Sequence, residues 1–311
     1  MFVYTKIVEV FKPLISMLVM FGKAFNVFAL TTLGLNRVQY IAFIPLWYTV
    51  VVTVVYFIRR LITGDTRPGL ITEFSSNKFR PTNSGLFKFC VFLWNVFMAV
   101  LSLAVFSVTM VTLYTIADNI CVNLHSFSGL LDVIYTPYDK MTNLEYSPFT
   151  SGGGETLMFA SKLFEIGDTI AYVLGGSSVI FLHFWHHATT AIVVEMGYTG
   201  FTGLILITIN NFIHIVMYSY YALTYFRPLR RYLSSVKIFI TVVQILQFLF
   251  IVYLNIMPRL PGNEHYLNLA YGAGSGFDVW SDVCTLVVIV SFLLLFMKFF
   301  VDTYVRRRVL E

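Results

Sequence analysis

Residues 88–115 read KFCVFLWNVFMAVLSLAVFSVTMVTLYT. One lysine opens the run, one asparagine interrupts it, and every other position is apolar, a small hydroxyl or a tyrosine. About 20 such residues cross a bilayer as a helix, so this stretch reads as a membrane span. The rest of the chain agrees: 58% of its 311 residues are hydrophobic and only 12% are charged, against about 25% charged in soluble domains. No single aqueous core could hide that much apolar surface. The expected class is an all-α membrane protein.

Seven stretches are long and apolar enough to span, at roughly 39–58, 88–115, 155–175, 178–197, 199–223, 234–257 and 280–302. Residues 1–38 read as an interfacial or short helical lead-in on the outer side. Residues 39–302 form one seven-helix membrane domain, and 303–311 a basic tail. The polar loop 116–154 separates two spans, and no internal repeat divides the chain. The formal charge of +5 is a topology signal, because its cations lie in short groups beside the spans. No basic groove interleaved with aromatics is present, so nucleic acid is not an expected partner. Arg59, Arg60, Arg67, Lys78, Arg80 and Lys88 fall on one side, with Arg227, Arg230, Arg231, Lys237, Lys298 and the Arg306–Arg308 run. Lys6, Lys12, Lys23, Arg37, Lys140 and Arg259 fall on the other. The C-terminus is therefore expected in the cytosol and the N-terminus across the membrane from it.

Ionisable groups inside a membrane need partners or a wet cavity, which makes them functional candidates. The third span carries Lys162, Glu165, Asp168 and Thr169; the fourth carries His183, His186 and His187. Spacings of three and four place each set on one helical face. The fifth aligns Asn210, Asn211, His214, Met217, Tyr218 and Tyr221, the sixth Thr241, Gln244 and Gln247, and the second contributes Asn95. At a rise of 1.5 Å per residue, His186, Asp168, His214, Gln244 and Asn95 all lie roughly 10–15 Å below the cytosolic face. Five helices offering polar groups at one depth point to a single buried site open to the cytosol. Taken singly, the amides fit interhelical hydrogen bonding, the tyrosines an interfacial belt, and the loop arginines topology.

Two chemistries fit the histidines. A di-iron desaturase or hydroxylase needs about eight ligands, more than the six histidines of the whole chain. A single metal held by His183, His187 and a carboxylate stays open. The alternative is covalent: an uncharged imidazole is a competent nucleophile toward a thioester. Its second nitrogen then needs a partner that fixes the tautomer, and nearby amides can stabilise oxyanion or enolate charge. A seven-helix receptor or transporter is a third reading, opposed by the cytosolic depth of the polar layer and the lack of a repeat. Cys121 and Cys284 both fall toward the outer side, where a disulfide and two lone thiols are both open.

In order along the chain, KLFEIGDT (162–169), HFWHH (183–187), NNFIHIVMYSYY (210–221) and TVVQILQ (241–247) resemble the ELO family of very-long-chain fatty acid elongases, over roughly residues 85–255. The resemblance implies a seven-helix protein of the endoplasmic reticulum membrane enclosing a buried acyl tunnel. It implies condensation of acyl-CoA with malonyl-CoA to 3-ketoacyl-CoA, with loss of CO₂ and CoA. His186 becomes the acyl acceptor through an acyl-imidazole, and His214 assists decarboxylation or stabilises the enolate. His183, His187 and Asp168 complete the catalytic group. Lys162, Glu165, Asn95, Asn210, Asn211, Tyr218, Tyr221, Gln244 and Gln247 line the substrate site. Decarboxylation supplies the carbanion, so no metal or redox cofactor is implied. The implied partners are the ketoacyl reductase, dehydratase and enoyl reductase that take the product onward, and a homo-oligomer is compatible with this reading. Where the family often has a basic stretch resembling RKK, this chain has GGSS (175–178). That moves the expected contacts to CoA phosphates onto Arg227 and Arg230. The motif flanks resemble the subgroup acting on saturated and monounsaturated chains, with tunnel depth set near Met196, Gly200, Phe201 and Met257.

Overall fold

The computed structural model describes residues 1–35, 37–64, 70–72, 84–136, 153–197, 203–233, 235–272 and 279–306. Its elements are helical apart from two short strands. They run α1 (Phe2–Val27), α2 (Arg37–Thr63), β1 (Ile71–Thr72), α3 (Gly85–Asn119), α4 (Phe127–Tyr135), α5 (Gly153–Phe164) and α6 (Ile166–Leu174). β2 (Val179–Ile180), α7 (Phe181–Gly197), α8 (Gly203–Leu223), α9 (Val236–Ile256), α10 (Glu264–Tyr271) and α11 (Val279–Phe300) follow. β1 and β2 pair in parallel, Ile71 opposite Val179, which holds the end of α2 beside the start of α7. That end of the bundle also gathers Lys88, Arg227 and Arg230 around one cavity, and is called the basic end below.

Six helices among the described residues are long and apolar enough to cross a membrane, starting at Phe2, Gln39, Gly85, Gly203, Val236 and Val279. Together they establish an all-α membrane protein. Two sequence expectations differ in detail. The third and fourth spans are not single long helices: α5 and α6 meet at Glu165, and α7 has 17 residues. The charged and histidine-rich positions that mark the site interrupt the apolar run there. The lead-in is also not short. Residues 2–27 form one helix, prolonged by a π-helical turn at Phe28–Thr32, because its lysines are widely spaced and leave an apolar face free to pack.

The core explains the order of the elements. Ser84 caps α3 by accepting from the backbone N–H of Phe87. Along α3, Ser102, Ser107, Thr109 and Thr112 donate to carbonyls of their own helix, so the polar atoms are satisfied without water. This lets α3 lie along the length of α8, its most extensive partner. α1 packs on both α3 and α5. Tyr4 meets Phe106 and Tyr114, whereas Phe21 meets Phe164, so α1 runs antiparallel to α3 from the end opposite the basic one. Sandwiched there, α5 is buried on every side from Leu157 to Leu163, as a helix with no exposed face must be.

At the far end, α4 and α10 form a cap. Tyr135 donates to the carbonyl of Leu254 at 2.6 Å, and His265 lies 3.2 Å from Asp132. Burial and the neighbouring Asp282 carboxylate raise the Tyr271 phenol, which donates to that carboxylate at 2.7 Å. Cys121 and Cys284 are free thiols, one of the two alternatives the sequence leaves open. Met257 is buried; the side chain of Met196, Gly200 and Phe201 lie outside the described residues.

Candidate functional site

The site starts at the α5–α6 junction. Lys162, on the last turn of α5, bonds Oε1 of Glu165 at 2.6 Å and Oδ1 of Asn210 at 2.7 Å. All three side chains are buried. A charge pair this deep persists only when its geometry is good and its remaining hydrogen bonds are met, and Asn210 of α8 supplies one of them. Glu165 then faces two imidazoles. Its Oε1 is 3.2 Å from Nδ1 of His214, and its Oε2 is 3.8 Å from Nδ1 of His187. Neither approach is aligned as a completed hydrogen bond.

Around this carboxylate the imidazoles gather. The rings of His183 and His187 are 4.2 Å apart and those of His186 and His187 5.2 Å, as one turn of α7 dictates. His186 also packs on Phe292 of α11, at 5.0 Å. His183 is held from the other side: its Nε2 is 2.9 Å from Oγ1 of Thr169, which is 2.6 Å from the hydroxyl of Tyr48. Tyr48 belongs to α2 and carried no sequence signal. Its place in a mostly apolar helix hid it, since any of the three tyrosines there, Tyr40, Tyr48 and Tyr56, reads as packing.

Asp168 forms a second centre. It accepts from Nε1 of Trp94 at 2.7 Å and from the hydroxyl of Tyr218 at 2.5 Å. The indole reaches it by lying over Gly167, where even a β-carbon would come within 2.2 Å of the ring. Trp94 was not a sequence candidate either; its spacing on α3 gave nothing beyond the apolar pattern.

Three cavities follow from this arrangement. One of about 200 Å³ is lined by His183, His186, His187, His214 and Gln244, and extends to Lys237 and Tyr304. A second, of about 410 Å³, lies beside Asp168, Trp94, His183 and His187. A third, of about 710 Å³, shares Lys88, Asn95, Tyr221 and Thr224 with the second and reaches Arg227 and Arg230. All four site histidines, Asp168, Gln244, Asn95, Tyr218 and Tyr221 therefore border one connected space, with Lys162, Glu165 and Asn210 behind it. Asn95 itself bonds the carbonyl of Val91. Two expected site residues lie apart from these cavities. Asn211 bonds the carbonyl of Ile207 and contacts the sulfur of Met158, and Gln247 is buried without lining any of the three. Among the described residues no group of three or more His, Cys, Asp or Glu side chains is disposed to hold a metal ion.

Comparison with known proteins adds an independent line. The chain matches the family described as "ELO: GNS1/SUR4 family" over residues 35–311. It is 33% identical over 183 residues to "Fatty acid elongase A" of Dictyostelium discoideum, covering 58% of this chain and 61% of that protein. "Very long chain fatty acid elongase 2" of Rattus norvegicus is 29% identical over 203 residues, 60% of this chain and 67% of the relative. "Very long chain fatty acid elongase 6" of Homo sapiens is 34% identical over 154 residues, 47% and 52% respectively. The matched stretches thus span roughly half to two thirds of these relatives' lengths.

Proposed function

The chain belongs to the GNS1/SUR4 family, and from that membership and the histidine chamber we propose that it condenses a long-chain acyl-CoA with malonyl-CoA. The observation that carries this is the meeting of His186 and His214 on one small cavity. They come from different helices and are backed by one carboxylate, an arrangement suited to sequential acyl transfer. In the first step an imidazole nitrogen of His186 attacks the thioester carbonyl. A C–N bond forms, the C–S bond breaks, and CoA leaves as the thiol with the imidazole's proton. Malonyl-CoA then loses CO₂, which leaves the electron pair on its α-carbon. That carbanion attacks the acyl-imidazole; a C–C bond forms and the C–N bond breaks, returning the pair to His186, whose nitrogen takes up one proton from solvent to regain the neutral imidazole. His214 stabilises the enolate, and Glu165 orients it.

In this reading α2, α3, α5 with α6, α7, α8, α9 and α11 make the seven spans, and α1 adds a flanking helix. The apolar tunnel for the acyl chain runs away from the basic end. The basic end faces the cytosol, the N-terminus the lumen, and the membrane is that of the endoplasmic reticulum. Arg227 and Arg230 contact CoA phosphates. No metal or redox cofactor takes part, and a reductase, a dehydratase and a second reductase consume the product. Saturated and monounsaturated chains are the favoured substrates.

Membranes containing the protein, given labelled malonyl-CoA, should release CO₂ only when acyl-CoA is present. Mass spectrometry of protein trapped with acyl-CoA should find the acyl group on His186, and His186→Ala should abolish it. Acylation elsewhere would falsify the nucleophile. Activity that is lost to a chelator and regained with iron or zinc would favour the metal-dependent reading.

A further inference from the structure

Two routes of different chemistry lead from the basic end to the histidines. The first is the cavity that contains His186 and His214; its outer wall holds Tyr220, Phe299 and Tyr304 with a single cation, Lys237. The second is the joined pair of cavities beyond His183 and His187, whose mouth holds Lys88, Arg227, Arg230 and Thr224. The routes share Tyr172, His183, His187, Met217 and Tyr221, so they meet at these side chains. His186 borders only the first route.

Resting on the condensation reading, we propose that the two CoA thioesters enter by separate doorways, acyl-CoA past Lys237 and malonyl-CoA past Arg227 and Arg230. Three features set the assignment. The first substrate must reach His186 directly, and only the Lys237 route does so. Acyl-CoA brings only its phosphates as charge, and suits the doorway with one cation, Lys237. Malonyl-CoA carries a carboxylate beyond the phosphates common to both thioesters, and suits the doorway with three cations. Once His186 bears an acyl group, the first cavity is filled. The malonyl carbon must then come by the second route, past His183, His187 and Met217, where the two routes meet. Separate doors also let CoA depart without crossing the incoming donor.

The test uses the full-length protein in detergent or vesicles and two charge reversals at exposed positions. R230E should raise KM for malonyl-CoA by about tenfold or more, with KM for acyl-CoA changed by less than about twofold. K237E should do the reverse. A second readout omits malonyl-CoA and follows acylation of the protein by labelled acyl-CoA. R230E should acylate at the wild-type rate, and K237E should acylate more slowly. Y304W, which narrows the first doorway without changing charge, should slow acylation most for the longest chains. If both reversals raise both KM values alike, or if R230E slows acylation as much as K237E, the two doorways are one and the proposal fails. Loss of condensation in the wild-type protein itself would instead overturn the elongase reading.

Discussion

Oε1 of Glu165 lies 3.2 Å from Nδ1 of His214 while the same oxygen bonds Lys162 at 2.6 Å. One carboxylate oxygen therefore answers to a fixed cation on its own turn and to an imidazole from another helix. The lysine anchors the carboxylate; the imidazole is the partner free to change state. His214 also lines the cavity that holds His186. A tautomer set by the second nitrogen's partner is the usual way an imidazole is made ready for proton or charge transfer.

Glu165→Gln keeps the shape and removes the charge. We expect kcat to fall by about a hundredfold. Leaving Lys162 without its counter-charge should cost about 3–5 kcal/mol of stability. The double variant Lys162→Met with Glu165→Gln should recover most of the lost melting temperature and none of the activity. Thermal unfolding and initial rates measured on the same samples separate the two roles. Equal recovery of both would mean that Glu165 only holds the helices together.

His183 is held by the chain from Tyr48 through Thr169. In Thr169→Val the imidazole loses its partner in a buried setting, at about 1–3 kcal/mol. Tyr48→Phe leaves the Thr169–His183 contact in place and should cost less. Chemical shifts of ¹⁵N-labelled histidine report the tautomer directly: Thr169→Val should give a mixed population where the parent gives one. A single unchanged tautomer would show that the threonine is packing alone.

Trp94 stands over Gly167 and reaches Asp168. A methyl group at 167 must push the indole away, and overpacking of this kind typically costs about 1–3 kcal/mol. Gly167→Ala should therefore lower the melting temperature and detach the indole from the carboxylate, seen as a shift in tryptophan fluorescence. Gly167→Ala combined with Trp94→Phe restores room and should regain stability without restoring the hydrogen bond. Failure of the second change to rescue the first would place the strain in the α5–α6 backbone.

The sequence was most legible where membrane physics leaves one option. Apolar runs such as 88–115 had to be helices, and polar groups within them had to face inward, which is why the four histidines, Lys162, Glu165 and Asn210 could be named as one cluster and lie together. It was least legible where partners come from residues with no distinctive chemistry. Tyr48 and Trp94 hold Thr169 and Asp168, yet in sequence they are aromatics among aromatics. Spacing puts Asn211 and Gln247 near the polar stripe as well, and neither lines the three cavities described above. The lead-in misread has the same origin, because a hydropathy profile interrupted by lysines does not reveal that a neighbouring helix has a face to cover.

α1 lies outside the part of the chain that matches the family, which begins at residue 35, yet it covers the helix that carries Lys162. Leu18 is fully buried, and Phe25 packs on Phe159 at 5.6 Å and on Trp47 at 5.3 Å. If this burial supports α5, then Leu18→Ala should cost about 2–5 kcal/mol, the range for truncating a buried leucine. Met20, two residues on and 70% exposed, provides the control: Met20→Ala should change stability by about 0.5 kcal/mol or less. The loss should also reach the site, because α5 ends at the lysine that anchors Glu165. In Leu18→Ala the acylation rate should therefore fall at temperatures well below the unfolding midpoint, whereas in Met20→Ala it should not. Equal and small effects of both changes on stability and on acylation would make α1 a peripheral helix, and the support of the Lys162–Glu165 pair would then have to come from α3, α7 and Asn210 of α8.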